Sequence, residues 1–154
     1  MSDESDDDGL HDGETGLLNE RYFRAALPNR IATARRVLRP ISIVLATLGD
    51  SSHARQLAFG LLDTLREADT ACRLDDGSFA LILEDTPENG AVWTIERLRR
   101  LLTEQGTDVL LWAGVASYPA HALEPQELLV LAEKALASAT EWKTQSRIEV
   151  ALPE

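Results

Sequence analysis

The chain has 154 residues, enough for one compact domain with a real core, and 44% of them are hydrophobic while only 5% are aromatic. Its net charge of -11 excludes a general nucleic-acid binder, because an acidic body repels phosphate. The lone Cys72 excludes an internal disulfide and a cysteine metal cluster, and no apolar run approaches membrane-spanning length.

The charge is unevenly placed. Residues 1–14 carry seven acids (Asp3, Glu4, Asp6, Asp7, Asp8, Asp12 and Glu14) and no Lys or Arg, which leaves -4 for the remainder. This predicts a solvated, disordered acidic tail over residues 1–14 and a single domain over 15–154. The N-terminus lacks a basic-then-apolar leader, so a reduced, cytoplasmic setting without a membrane partner is expected. His11, His53 and His121 are scattered without ligand spacing, and no metal is expected.

In chain order, Asn19 to Arg36 reads as a helix with Tyr22, Phe23, Ala26, Leu27 and Ile31 apolar and Pro28 as a break or kink. Ile41 to Leu48, between Pro40 and Gly49-Asp50, reads as a buried strand. Asp50 or Ser51 caps the next helix, along which Ala54, Leu57, Ala58, Leu61 and Leu65 repeat at helical spacing. Ala71 to Leu74 and Phe79 to Leu83 are short strands joined by the hairpin Asp75-Asp76-Gly77-Ser78. Thr86-Pro87-Glu88 starts a helix with Thr86 as cap; Ala91, Ile95, Leu98 and Leu102 line one face, and Gly106 ends it. Val109 to Tyr118 is an apolar strand containing Trp112 as a core residue. Pro125 opens a helix with Leu128, Ala132, Ala135 and Ala139 on one face, and Ile148 to Leu152 alternate as a half-exposed strand. The pattern predicts an α+β fold with helices against a mixed central sheet.

Several segments in order resemble the GGDEF, or diguanylate cyclase, family. Asp12-Gly13-Glu14-Thr15-Gly16-Leu17-Leu18-Asn19 with Phe23 resembles the family's opening D-x-L-T-G-L-x-N-x-x-x-F. Arg66-Glu67-Ala68-Asp69 resembles its R-x-x-D, and Asp75-Asp76-Gly77-Ser78-Phe79 occupies the signature position. Gly114 to Pro119 is similar to G-V-A-x-Y-P, and Leu128-Leu129 with Ala132 to Leu136 to the last helix. The resemblance implies a nucleotidyl-cyclase-like (ferredoxin-like) central sheet flanked by helices.

The family joins two GTP molecules using divalent metal held by carboxylates on the first strand and in the signature hairpin. Here the first-strand position falls at Ala46 and the signature acids at Gly77 and Ser78, which lack the charged oxygens a hard cation requires. Asp75 and Asp76 replace the two glycines that let substrate approach. The phosphate-binding lysine position falls at Thr140 and the arginine position near Thr144, with Lys143 and Arg147 displaced from them. Ala46 and Arg73 stand 27 positions apart, shorter than the family pattern. A degenerate domain without catalysis and without a cofactor is therefore expected.

What the resemblance retains is an inhibitory-type site for cyclic di-GMP. Arg66 and Asp69 fit its R-x-x-D, five residues before the signature, and Arg97 stands at the second arginine position. Arg66 and Asp69 are expected to point outward together. A guanidinium can bond guanine O6 and N7, and a carboxylate can accept from N1 and N2. Trp93, one turn before Arg97, offers a stacking surface, and Arg73 is a weaker candidate ligand that a strand could turn to solvent. Three functions follow: a cyclic di-GMP receptor, with a ligand-linked homodimer; a ligand-independent module for an unidentified protein partner, a contact that Trp142 could mark; or residual GTP binding without turnover, against which every altered GTP contact counts.

Overall fold

In the computed structural model, residues 9–153 are described. Strand β1 (Leu18–Asn19) leads into helix α1 (Glu20–Val37), and β2 (Ile41–Leu48) follows. A single 3-10 turn (Ser51–His53) precedes α2 (Ala54–Thr64), and β3 (Thr70–Arg73) and β4 (Phe79–Glu84) form the hairpin. Then come α3 (Glu88–Glu104), β5 (Leu111–Tyr118), α4 (Pro125–Thr140) and β6 (Arg147–Val150).

The strands form one six-stranded mixed sheet in the order β1-β3-β4-β2-β5-β6. β2 lies between β4 and β5, antiparallel to both, while the outer strands β1 and β6 pair in parallel with β3 and β5. Ile41 to Ala46 are all buried, because helices cover both faces and leave no polar side for the strand to alternate toward. Beneath α1 and α4 lie Phe23, Ile31, Ile43, Ile82, Ala116 and Leu128. Beneath α2 and α3 lie Val44, Leu57, Phe79, Leu81, Ile95 and Val115. The chain is an α+β fold with helices on both faces of a mixed sheet, as its sequence predicts.

The one fully buried polar side chain of β2 is Ser42, and its hydroxyl is matched. Oγ donates to the Thr86 carbonyl at 2.7 Å and lies 2.7 Å from Ser117 Oγ. Next to it, His121 Nδ1 accepts from the Ser117 N–H at 2.8 Å, and Nε2 faces Glu88 Oε1 at 3.3 Å. These bonds tie the ends of β4 and β5 and the start of α3 to the first residues of β2, where a bare hydroxyl would cost the full desolvation penalty.

Four expectations change. Residues 9–14 are not part of a disordered tail: Asp12 accepts from Thr15 N–H and Oγ1 at 2.9 and 2.7 Å, and His11 bridges Leu18, so this turn is built into the sheet edge. The rest of that expected tail, residues 1–8, lies outside the described residues. Pro28 lies inside α1 without ending it, since Leu27 and Ile31 on either side are buried and hold the helix on the sheet. Thr86 makes no cap; Pro87 takes that place without a side-chain bond, and the Thr86 hydroxyl turns back to the Glu84 carbonyl. Trp112 is half-buried rather than core: its Nε1 donates to the carbonyls of Trp142 and Gln145 at 2.9 and 3.1 Å, fastening the turn between α4 and β6.

α4 crosses β5 at Gly114, where an added Cβ would stand 2.3 Å from the Leu136 nitrogen and 2.5 Å from the Ala132 carbonyl oxygen. Both are backbone atoms, so only moving the helix makes room. Gly114→Ala is expected to destabilise the fold by about 3 kcal/mol or more in urea denaturation, against less than about 1 kcal/mol for Gly13→Ala, where a Cβ meets nothing.

Candidate functional site: the signature hairpin and the arginine face

At the signature, the β3–β4 turn closes through Leu74 N–H to Ser78 O at 2.8 Å and Gly77 N–H to Leu74 O at 3.0 Å. Gly77 has φ +92, a conformation that glycine adopts freely. Asp76, exposed in the turn, accepts from Ser78 Oγ at 2.6 Å and from Ser78 N–H at 2.9 Å, and these bonds hold its carboxyl below the usual range. The Asp75 N–H donates to Glu20 Oε1 at 2.9 Å. Ala46, buried, faces Phe79 across the sheet and presents only a methyl group.

Arg73 is not turned to solvent. Only 10% of its side chain is exposed; Nε donates to Gly77 O at 2.8 Å, Nη1 reaches Glu14 at 2.9 Å and Asp12 at 3.5 Å, and the guanidinium lies 5.0 Å from the Phe79 ring centre. The shallow hollow here, about 390 Å³, is walled by Asp12, Glu14 and Asp75 around this committed arginine. As a ligand for an external anion, Arg73 is already spent.

Arg66 and Asp69 lie at the opposite end of β3 and β4. α2 stops at Thr64, and the next residues turn so that Asp69 N–H donates to Arg66 O at 3.0 Å. The Asp69 side chain, 4% exposed, does not point outward. It accepts from Arg66 N–H at 3.0 Å and from Glu84 N–H at 3.1 Å, joining the turn to the end of β4. The Arg66 guanidinium folds over it, with Nε and Nη2 each 3.3 Å from the carboxylate, and Nη2 also donates to Thr86 Oγ1 at 2.7 Å and to the Glu84 carbonyl. The Arg66 side chain is still 57% exposed, and Nη1 has no partner among the described residues.

Arg97 and Trp93 pair on the outer side of α3. The guanidinium carbon sits 5.6 Å from the Trp93 ring centre, within cation–π range, and Trp93 is 56% exposed. They line an open groove of about 370 Å³ with Arg100 and Leu101, which meets the end of α2 at Asp63 and Thr64. That groove stops two residues short of Arg66 in sequence. The structure thus unites Arg66 with Asp69 and Arg97 with Trp93 as two neighbouring pairs joined by the end of α2, rather than as one cluster. Sequence reasoning missed Glu84 and Thr86, the residues that brace Arg66; Thr86 carried a helix-cap signal, and Glu84 none.

This sheet and helix arrangement is that of the nucleotidyl-cyclase-like domains. Residues 53–146 match the family model described as diguanylate cyclase, GGDEF domain, and the chain belongs to the GGDEF family. It is similar to the GGDEF domain of TpbB (YfiN) from Pseudomonas aeruginosa, with 21% identity, a TM-score of 0.81 and coverage of 92% of this chain and 94% of that one. Against the coiled coil and GGDEF domain of DgcB from Caulobacter crescentus, in complex with c-di-GMP, identity is 18% and the TM-score 0.79, covering 94% and 86%. Against the diguanylate cyclase SiaD from Pseudomonas aeruginosa, in complex with its activator SiaC, identity is 21% and the TM-score 0.76, covering 92% and 62%. No curated protein sequence matches. At these identities the structural likeness carries the fold.

The family implies divalent metal at the signature. The residues present do not fit it: Ala46 and Gly77 offer no side-chain donor, and Ser78 Oγ is bonded to Asp76. Among the described residues, no three His, Cys, Asp or Glu side chains converge to hold a cation.

If Asp69 is the brace that the geometry makes it, Asp69→Ala strands two backbone N–H groups and costs about 1–3 kcal/mol in chemical denaturation. Arg97→Ala, which removes no hydrogen bond, should change stability by less than about 0.5 kcal/mol.

Proposed function

We propose that this chain is a non-catalytic GGDEF domain that binds cyclic di-GMP on the face carrying Arg66, Asp69, Arg97 and Trp93. The observation that supports this most is the preformed Arg66–Asp69 turn, in which the carboxylate fixes a guanidinium that remains over half exposed. Nη1 and the outer edge of Arg66 can meet guanine O6 and N7. Asp69 positions Arg66, and its use as an acceptor for guanine N1 and N2 requires the turn to open. Trp93 supplies a face for a base, and Arg97 a cation for phosphate. The alterations at Ala46, Gly77 and Ser78 support the absence of turnover.

Titration calorimetry with cyclic di-GMP tests the reading. Binding at micromolar or tighter, equivalent to about -8 kcal/mol, is expected, with each of Arg66→Ala and Arg97→Ala weakening it about tenfold or more. Absence of heat at two temperatures, or binding indifferent to both variants, would overturn it. A cyclic product from GTP and magnesium would overturn the non-catalytic part alone.

A second reading has its own support. Arg66 Nη2 is occupied by Asp69, Thr86 and Glu84, so the turn also serves as an internal brace between α2, β4 and α3. On that reading the domain is a ligand-independent module for a protein partner, and replacing Arg66 lowers stability while leaving partner binding unchanged.

A further inference from the structure

We propose that the free edge of β6 pairs with the β6 edge of a second copy of this chain, forming a ligand-independent antiparallel dimer with Ile148 on the twofold axis. Neither the cyclic di-GMP site nor a catalytic role enters this interface.

β6 pairs with β5 on one side and forms one end of the sheet. Ala151 N–H donates to Val115 O at 2.7 Å, which sets the alternation of the strand: the backbone groups of residues 147, 149 and 151 face β5. Those of Ile148 and Val150 therefore face away from the sheet, a ready template for another strand. In an antiparallel pair centred on Ile148, each Ile148 exchanges N–H and C=O with its copy, and Val150 pairs in the same way with the partner's Ser146.

Side-chain charges then select the register. Centring the axis on Arg147 or on Glu149 sets like charges opposite each other, which is destabilising. Centring it on Val150 places Arg147 and Glu149 opposite the uncharged Pro153 and Ala151 of the partner. Centring it on Ile148 puts Arg147 opposite the partner's Glu149, and Glu149 opposite the partner's Arg147. Both are non-hydrogen-bonded pairs, in which side chains approach closest. Charges on an edge strand ordinarily discourage pairing; spaced two apart with opposite sign, these become complementary in this one register.

The strand is prepared for such a partner. Arg147 is held by Glu149 Oε2 at 2.6 Å and lies 4.3 Å from the Trp142 ring centre, so its guanidinium is already placed beside the edge. Ile148 and Val150, on the opposite face, are only half-buried and pack at the margin of the core under α3, which a copy would extend. On the other face a groove of about 380 Å³ runs between α4 and β6, lined by Leu131, Ala135 and Ala151 and rimmed by Lys134 and by Leu152, which is 81% exposed. An incoming strand covers this apolar lining.

The experiment is sedimentation equilibrium of the full chain over a concentration series, without nucleotide. A monomer–dimer equilibrium is expected in the wild type. Arg147→Glu sets two like-charge pairs opposite each other and should weaken association about tenfold or more, while the charge-swapped Arg147→Glu, Glu149→Arg double variant restores it. Thermal unfolding at low concentration verifies that each variant is folded. A wild type that stays monomeric throughout leaves this edge to some other chain and overturns the proposal. So does a dimer unmoved by Arg147→Glu, or a charge-swapped variant that remains as weak as the single one.

Discussion

Burial of β2 over its first six residues is the constraint on which the rest of this domain depends. Its residues from Ile41 to Ala46 are closed off by β4 and β5 at the edges and by helices on both faces. A strand so enclosed tolerates polarity only where a partner is supplied, and Ser42 has one in the Thr86 carbonyl. The same register fixes two separate surfaces. Ala46 faces Phe79 at the signature hairpin, and Ile41 faces Glu84 beside the Arg66–Asp69 turn. Five residues of strand place these ends about 17 Å apart.

That separation lets the two ends be built differently. At the signature end, the side chains satisfy each other: Asp76 holds Ser78, and Arg73 is bound by Gly77, Glu14 and Asp12. The hairpin is a closed turn stabilised by its own polar groups, with an apolar Ala46 beneath it. At the other end, Asp69 joins a loop and a strand end through the backbone N–H groups of Arg66 and Glu84, and Arg66 covers it, reaching the Thr86 hydroxyl ahead of α3 while keeping an exposed edge. On the proposed reading, a site that recognises a planar base gains rigidity from such a brace. The brace also has a structural value of its own, which is why ligand binding and stability have to be measured separately in variants of this turn.

Much of this fold was legible from residue pattern. The limits of β2 follow from Pro40 and Gly49-Asp50 around a continuous apolar run, and the β3–β4 hairpin follows from Asp76-Gly77. α4 follows from Pro125 and its small apolar face. What escaped depends on distant partners. β1 is two residues long and exists because β3 lies alongside it. The turn over residues 9–14 carries acids that suggest a solvated tail, yet Asp12 bonds Thr15 and approaches Arg73, 61 positions away. Trp112 sits in an apolar run, but its indole N–H draws it toward the carbonyls that follow α4. In the site, the pairings Arg66–Asp69 and Trp93–Arg97 were readable as local spacings. The inward turn of Asp69 was not, because Glu84 and Thr86 come from another strand and its exit.

Hydrogen exchange followed by mass spectrometry, with and without cyclic di-GMP, tests most directly whether the arginine end of the sheet is the ligand end. The account predicts added protection over residues 65–70 and 84–97, with residues 73–80 at the signature hairpin unchanged. Protection centred on the hairpin, or none anywhere at saturating ligand, would contradict it.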